Sequence, residues 1–287
     1  MIVSARYTQI MLWLARYKYL CTDQIHQYLF AGTTRRNCEI ALQRMDKKGL
    51  IKRAKLPRSH HLNFGFLCYL TKEGHELVKA EERLDNVRYA KYPVIKPITS
   101  INHYYHRKRL IDFFIKLDLD IKNLPQLRLK KVLTEAGQKE VRGKRLTESK
   151  IVSGRLSIVP DLIFVLQNQE TGKEAAFMVE IDTGKEAIGG KFETSPKGSL
   201  MHKFLVYEQF LEGQDWQGQI GTIAKTFQVL TITEEVSHLK TLMKRSIVRL
   251  KYPQNFMGTT HDFVEKGSVY DAPFWLTPKG EVKTLVY

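Results

Sequence analysis

The stretch "PDLIFVLQNQETGKEAAFMVEID", residues 160–182, decides the reading of this chain. Two apolar runs flank a polar turn, the pattern of an antiparallel hairpin with buried strands. Asp161 opens the first run, while Glu180 and Asp182 close the second. Side chains two apart on a strand share a face, so Glu180 and Asp182 point one way and Phe177, Val179 and Ile181 the other. Antiparallel pairing sets the start of the first strand beside the end of the second, which gathers the three carboxylates at one sheet edge. Like charges that close raise one another's pKa, and a divalent cation with oxygen ligands, Mg²⁺ or Mn²⁺, relieves the repulsion. The spacing therefore predicts a metal site at Asp161, Glu180 and Asp182. A hairpin whose acids merely face water is the plainer alternative.

Those acids stand in a strongly basic chain. Its 287 residues carry 46 Lys plus Arg against 30 Asp plus Glu, a formal net charge of +16, which favours an anionic partner such as nucleic acid. A hydrophobic fraction of 43% provides a real core, and the length has room for two domains. The three cysteines, Cys21, Cys38 and Cys68, are odd in number and widely spaced, which argues against a disulfide scaffold or zinc cluster and fits a reducing compartment. No apolar run approaches the ~20 residues that span a bilayer. The stretch "MIVSARYTQIMLWLARYKYL" is interrupted by basic residues and lacks a small-residue cleavage site, so the expectation is a cytoplasmic protein without a membrane partner.

Residues 1–84 read as one unit. Ile10, Leu12, Trp13 and Leu14 mark a first helix; Thr22 is the expected N-cap of a second, "DQIHQYLF"; Thr33 or Thr34 opens a third. Ile40, Leu42, Met45 and Leu50 give the third its apolar side, and Arg35, Arg36, Arg44, Lys47 and Lys48 its positive charge. "LIKRAKLP" and "FGFLCYLT" follow as two strands around a basic tip that includes Arg58, and "LTKEGHELV" reads as a closing helix from Thr71. Three helices and a two-stranded wing form a winged helix-turn-helix, whose third helix enters the major groove while its wing follows the backbone. The basic residues are otherwise a solvated helix face.

Residues 85–97 hold two prolines without helical period and read as a linker, leaving 98–287 as the second domain. That domain opens with a helix through Ile101, Tyr105, Leu110, Phe113, Phe114 and Leu117, then the strand-like "LPQLRLKKVLT". The charged stretch from Gly137 to Arg155, with Lys144 and Arg145, reads as an exposed loop or flexible hairpin able to touch a DNA backbone. After Phe210, "TFQVLTITEE" reads as a strand and "VSHLKTLMKRSIVRL" as a helix.

Pro-Asp at 160–161 followed by Glu180-x-Asp182 resembles the PD-(D/E)XK nuclease core, in which the acids hold magnesium. Asp182 stands where that pattern has lysine; Lys203 from the next helix can supply the missing cation, with Lys185 and Lys191 as rivals. The order of parts resembles the replication-relaxation family, which includes relaxases of mobilisable plasmids. Its pattern falls here on His106 with Asp112, Asp161, Glu180 with Asp182, Glu186, and Lys203 with Tyr207. The resemblance implies an α/β (α+β) architecture, a winged helix followed by a nuclease-like domain with a mixed central sheet. It also implies metal-dependent nicking at a transfer or replication origin, with an accessory nicking protein and a coupling ATPase as further partners. Water and a tyrosine (Tyr17, Tyr19, Tyr104 or Tyr105) are both open as nucleophile. A DNA-binding regulator or replication initiator with an inert nuclease-like domain is the alternative, and an endonuclease subunit of a transposase a third.

Overall fold

The structure is a computed structural model that describes residues 4–56, 64–80, 101–135, 137–141, 144–184, 187–189, 199–213 and 215–286, with the backbone alone at 101–103, 138–141 and 144–145. The expected linker and Arg58 lie outside the described residues. The chain divides into two compact units, Met1–Asp112 and Phe113–Tyr287.

The first unit runs α1 (Ala5–Tyr17), β1 (Leu20–Cys21), α2 (Thr22–Leu29), α3 (Arg35–Lys47), β2 (Ile51–Lys55), β3 (Phe66–Leu70) and α4 (Lys72–Ala80). Its three strands form an antiparallel sheet in the order β1-β3-β2. Thr34 caps α3 by accepting from the Asn37 amide at 3.3 Å, and Cys38, Leu42 and Met45 turn inward; Ile40 is only half-buried. Thr71 accepts from the Gly74 amide at 2.9 Å and donates to the Gly49 carbonyl at 2.5 Å, which ties α4 to the end of α3. A Cβ at Gly74 would lie 2.0 Å from the Leu50 carbonyl oxygen, so the backbones can approach only with glycine there.

The cap of α2 differs from expectation by one residue. Cys21 occupies the N-cap, its amide donating to the Gln24 side chain at 3.0 Å. The Thr22 hydroxyl goes to Phe66 instead, accepting from its amide at 3.0 Å and donating to its carbonyl at 3.3 Å. A hydroxyl that can satisfy two strand groups is worth more there than at a helix end already capped by Gln24.

The division between the units falls within α5 (Ile101–Asp120). Then come β4 (Leu127–Thr134), the hairpin β5 (Gln138–Val141) with β6 (Lys144–Thr147), and the hairpin β7 (Ile151–Ser153) with β8 (Leu156–Ile158). The charged stretch expected as a loop or flexible hairpin thus contains two short hairpins. β9 (Leu162–Asn168) and β10 (Glu174–Asp182) form the decisive antiparallel pair. After them lie α6 (Leu200–Glu212), α7 (Asp215–Ile220), β11 (Phe227–Thr233), α8 (Val236–Arg249), β12 (Phe256–Thr260), α9 (His261–Lys266), β13 (Trp275–Leu276) and β14 (Val282–Lys283).

Seven strands make one mixed sheet, ordered β14-β13-β12-β11-β10-β9-β4. β10, β11 and β12 run parallel, with α6 and α7 in the first crossover and α8 in the second; the remaining pairings are antiparallel. Alternation sorts the side chains to two faces. Phe164 and Phe177 are register partners whose rings stack at 4.6 Å on one face, with Phe113 of α5 beside them. Ile163, Val165, Ala176, Met178 and Val229 point to the other, into a buried cluster with Met201, Phe204, Tyr207 and Phe210 of α6 and Leu239, Leu242 and Met243 of α8. Burying each such large apolar side chain contributes roughly 1.5–3 kcal/mol. Among the described residues no helix is long and apolar enough to cross a membrane.

Candidate active site

Ala176 and Met178 place the even-numbered residues of β10 under α6. Glu180 continues that row and is 1% exposed. Lys203 and Tyr207, one helical turn apart on α6, both reach it: the Lys203 ammonium donates to Oε2 at 2.9 Å, and the Tyr207 hydroxyl donates to Oε1. The start of α6 is held by Ser199, which accepts from the His202 amide at 3.2 Å.

Asp161 continues the register of β9 and comes opposite Glu180, one step beyond the Leu162–Val179 pair. Its amide donates to the Val179 carbonyl at 3.1 Å, and its carboxylate accepts from the Ile181 amide at 2.7 Å. A second bond to the β10 backbone, made by a side chain, fixes this carboxylate at the strand end. Burial raises the Glu180 carboxyl and the neighbouring Asp161 charge adds to the rise, against the opposing pull of Lys203 and Tyr207, which leaves it at about 7.

Asp182 is two residues further along the same face and takes different partners. One carboxylate oxygen accepts from the Gly184 amide at 2.9 Å; the other lies 2.7 Å from Nε2 of His238, in the first turn of α8. The ring and the carboxylate are within ion-pair distance without an aligned hydrogen bond. Gly258 on β12 sets the depth of α8, because a Cβ there would sit 2.4 Å from Leu239 Cδ1 and 3.1 Å from Met243 Cε. Thr231, the β11 register partner of Glu180, is fully buried, with no hydrogen bond to its hydroxyl among the described residues.

The structure thus brings Asp161, Glu180 and Lys203 together and directs Asp182 toward His238. Among the described residues no three His, Cys, Asp or Glu side chains converge into a metal-holding group. Magnesium is ordinarily held by one or two carboxylates, with water and substrate phosphate completing its shell. Asp161 and Glu180 fit that donor set, and a cation there would oppose the upward push that burial, with the Asp161 charge, puts on the Glu180 carboxyl.

His106 is half-buried in α5 and belongs to the first unit. Asp112 is held by the Lys108 ammonium at 2.6 Å and the Gln24 amide at 2.7 Å, a structural use of its charge. Glu186, Lys185 and Lys191 lie outside the described residues, as do the side chains of Lys144 and Arg145. On α3, Arg36, Arg44, Lys47 and Lys48 are exposed, whereas Arg35 is half-buried and paired with Asp23 at 2.9 Å and Glu39 at 3.3 Å. The sequence reading missed His238. The available signal was a histidine in the first turn of a helix after a strand, which gains meaning only once β11 is known to lie parallel to β10.

The family model described as replication-relaxation matches residues 11–226, three quarters of the chain. No curated protein and no solved structure matched the chain.

Proposed function

The chain belongs to the replication-relaxation family, and on that premise we propose that it nicks DNA at a transfer or replication origin of a plasmid or mobile element. Membership points to a role in DNA replication or mobilisation. The observation that carries the finer reading is Lys203 and Tyr207 clamping a buried Glu180 opposite Asp161. A chain that only binds DNA gains nothing from desolvating a carboxylate beside another carboxylate. The strand-borne acids and the lysine lent by α6 support a PD-(D/E)XK-like centre.

Asp161 and Glu180 would hold Mg²⁺ or Mn²⁺, which supplies charge stabilisation at the phosphate and an activated water. Tyr207 is fully buried, so its hydroxyl orients Glu180 rather than attacking phosphorus; the activated water is the nucleophile this reading takes, with Tyr17, Tyr19, Tyr104 and Tyr105 as the alternatives to it. Lys203, a quarter exposed, pulls Glu180 toward its ionised form and presents positive charge where the phosphate becomes more negative. The order of helices and strands in the first unit supports a winged helix, with Arg36, Arg44, Lys47 and Lys48 of α3 toward DNA phosphates.

The test is a supercoiled plasmid carrying the element's own origin, incubated with full-length protein and Mg²⁺ or Mn²⁺. Open circles are expected from the wild type and not from Asp161→Ala or Glu180→Ala. Binding without cutting under either metal, with accessory proteins supplied, sinks this reading in favour of an inert regulator.

A further inference from the structure

His238 lies beyond the residues that the family model matches, yet α8 delivers it to the candidate site. Its Nε2 is 2.7 Å from a fully buried Asp182 carboxylate, while the ring remains 24% exposed. A buried carboxylate at ion-pair distance from one nitrogen of a solvent-reaching imidazole favours that ring orientation, and a small rotation of the ring aligns the hydrogen bond that holds a histidine for proton transfer. With Nε2 turned to Asp182, Nδ1 is the nitrogen left to give up a proton. Asp182 follows Glu180 by two residues on one strand face, an advance of about 7 Å. In-line displacement at phosphorus needs just such a separation of duties, since the attacking and leaving oxygens lie on opposite sides. The acid at 182, foreign to a PD-(D/E)XK pattern, then has a use.

We propose that His238 is a catalytic residue, the general acid for the leaving oxygen, and that Asp182 is its positioning residue. The inference rests on the nicking reading above. As the water oxygen bonds to phosphorus, the bond from phosphorus to the sugar oxygen breaks. The Nδ1 proton passes to that oxygen, which leaves as a hydroxyl. The water's proton departs to solvent, and solvent reprotonates the ring at its exposed edge.

The experiment compares single-turnover nicking by wild type, His238→Ala, His238→Gln and Asp182→Asn, once the nick has been mapped on plasmid. Two oligonucleotide substrates are used: ordinary DNA, and DNA with bridging sulfur in place of the leaving oxygen. A thiolate leaves without a proton. On ordinary DNA the His238 variants should lose roughly 10²–10⁴-fold in rate at saturating substrate, the usual contribution of a general acid. On the sulfur-bridged substrate they should come within a few-fold of wild type. Asp182→Asn should show the same substrate dependence with a smaller loss, and all variants should retain wild-type Mn²⁺ affinity by calorimetry. Equal losses on both substrates, a change in KM alone, or no loss overturns the assignment while leaving the nicking reading intact. Wild-type protein that cuts neither the plasmid nor either oligonucleotide, with accessory proteins supplied, overturns both.

Discussion

The Lys203 ammonium lies 2.9 Å from the Glu180 carboxylate, although 23 residues separate them and they sit on different layers of the fold. Glu180 is all but fully buried, so Lys203 is a large part of what favours its charged form. Removing one partner from such a pair leaves an uncompensated buried charge, at about 3–5 kcal/mol where both partners are enclosed. Lys203 is a quarter exposed, which lowers that figure toward its low end. Lys203→Met should therefore destabilise the protein near pH 8 more than near pH 5, where Glu180 can take up a proton instead. Urea melts at the two pH values check this. An equal loss at both would mean that Lys203 contributes packing rather than charge.

Glu180 itself gives a pH dependence of definite sign. Burial, with Asp161 beside it, pushes its carboxyl up to about 7 from an ordinary value of 4.5. Between these two values the folded protein holds a proton that the unfolded chain has released. This group's contribution to stability is therefore greatest below about 4.5 and is lost as pH rises through about 7, by an amount on the order of 3 kcal/mol. In metal-free buffer, stability should fall between pH 5 and pH 8 by more in the wild type than in Glu180→Gln. Millimolar Mn²⁺ should restore the wild type at pH 8 and leave Glu180→Gln unmoved, because a ligand that binds only the folded state stabilises it. Wild-type and Glu180→Gln curves of equal slope would refute the elevated Glu180.

How much of this was legible in the sequence depends on whether an element's placement is local. The hairpin and the opposition of Asp161 to Glu180 follow from a two-residue period and a short turn. The face shared by Lys203 and Tyr207 follows from helical spacing, although only the fold shows that this face meets Glu180. His238 could not be found this way. Its approach to Asp182 depends on two parallel pairings and on the missing Cβ of Gly258, 20 residues downstream. The hairpins β5–β6 and β7–β8 were half legible: the charged stretch read as a loop or a flexible hairpin, but strands of three or four residues are too short for alternation to show where they lie. Thr22 misled for another reason: helix-cap chemistry and cross-strand bonding ask for the same hydroxyl.

Gly258 is where that distant dependence can be tested. A methyl group at this position meets Leu239 Cδ1 at 2.4 Å and the Thr231 carbonyl oxygen at 3.1 Å. Leu239 belongs to the buried cluster and cannot simply swing into solvent, so α8 must shift outward. Gly258→Ala should cost about 1–3 kcal/mol, the usual range for overpacking. It should also slow nicking without weakening Mn²⁺ binding, because His238 moves while Asp161 and Glu180 stay on their strands. Thermal melts, calorimetry and plasmid nicking on one preparation separate these effects. A Gly258→Ala protein that loses Mn²⁺ affinity would place α8 among the supports of the acid pair.

On α3, five basic residues looked equivalent in the sequence and are not. Arg35 is occupied by Asp23 and Glu39, whereas Arg36, Arg44 and Lys47 are exposed. A cation already paired with carboxylates releases few counterions when DNA arrives. An exposed cation set against a phosphate lowers the salt dependence of binding by about 0.9 per contact when it is removed. Arg36→Ala, Arg44→Ala and Lys47→Ala should each weaken DNA binding at low salt and flatten the plot of log K against log salt by up to that amount. Arg35→Ala should leave the slope unchanged and lower stability by less than about 1 kcal/mol, the usual limit for a surface pair. Fluorescence anisotropy between 50 and 200 mM salt, roughly the range over which phosphate contacts are lost, decides between them. If Arg35→Ala flattens the slope as much as Arg36→Ala does, another face of the first unit meets the DNA.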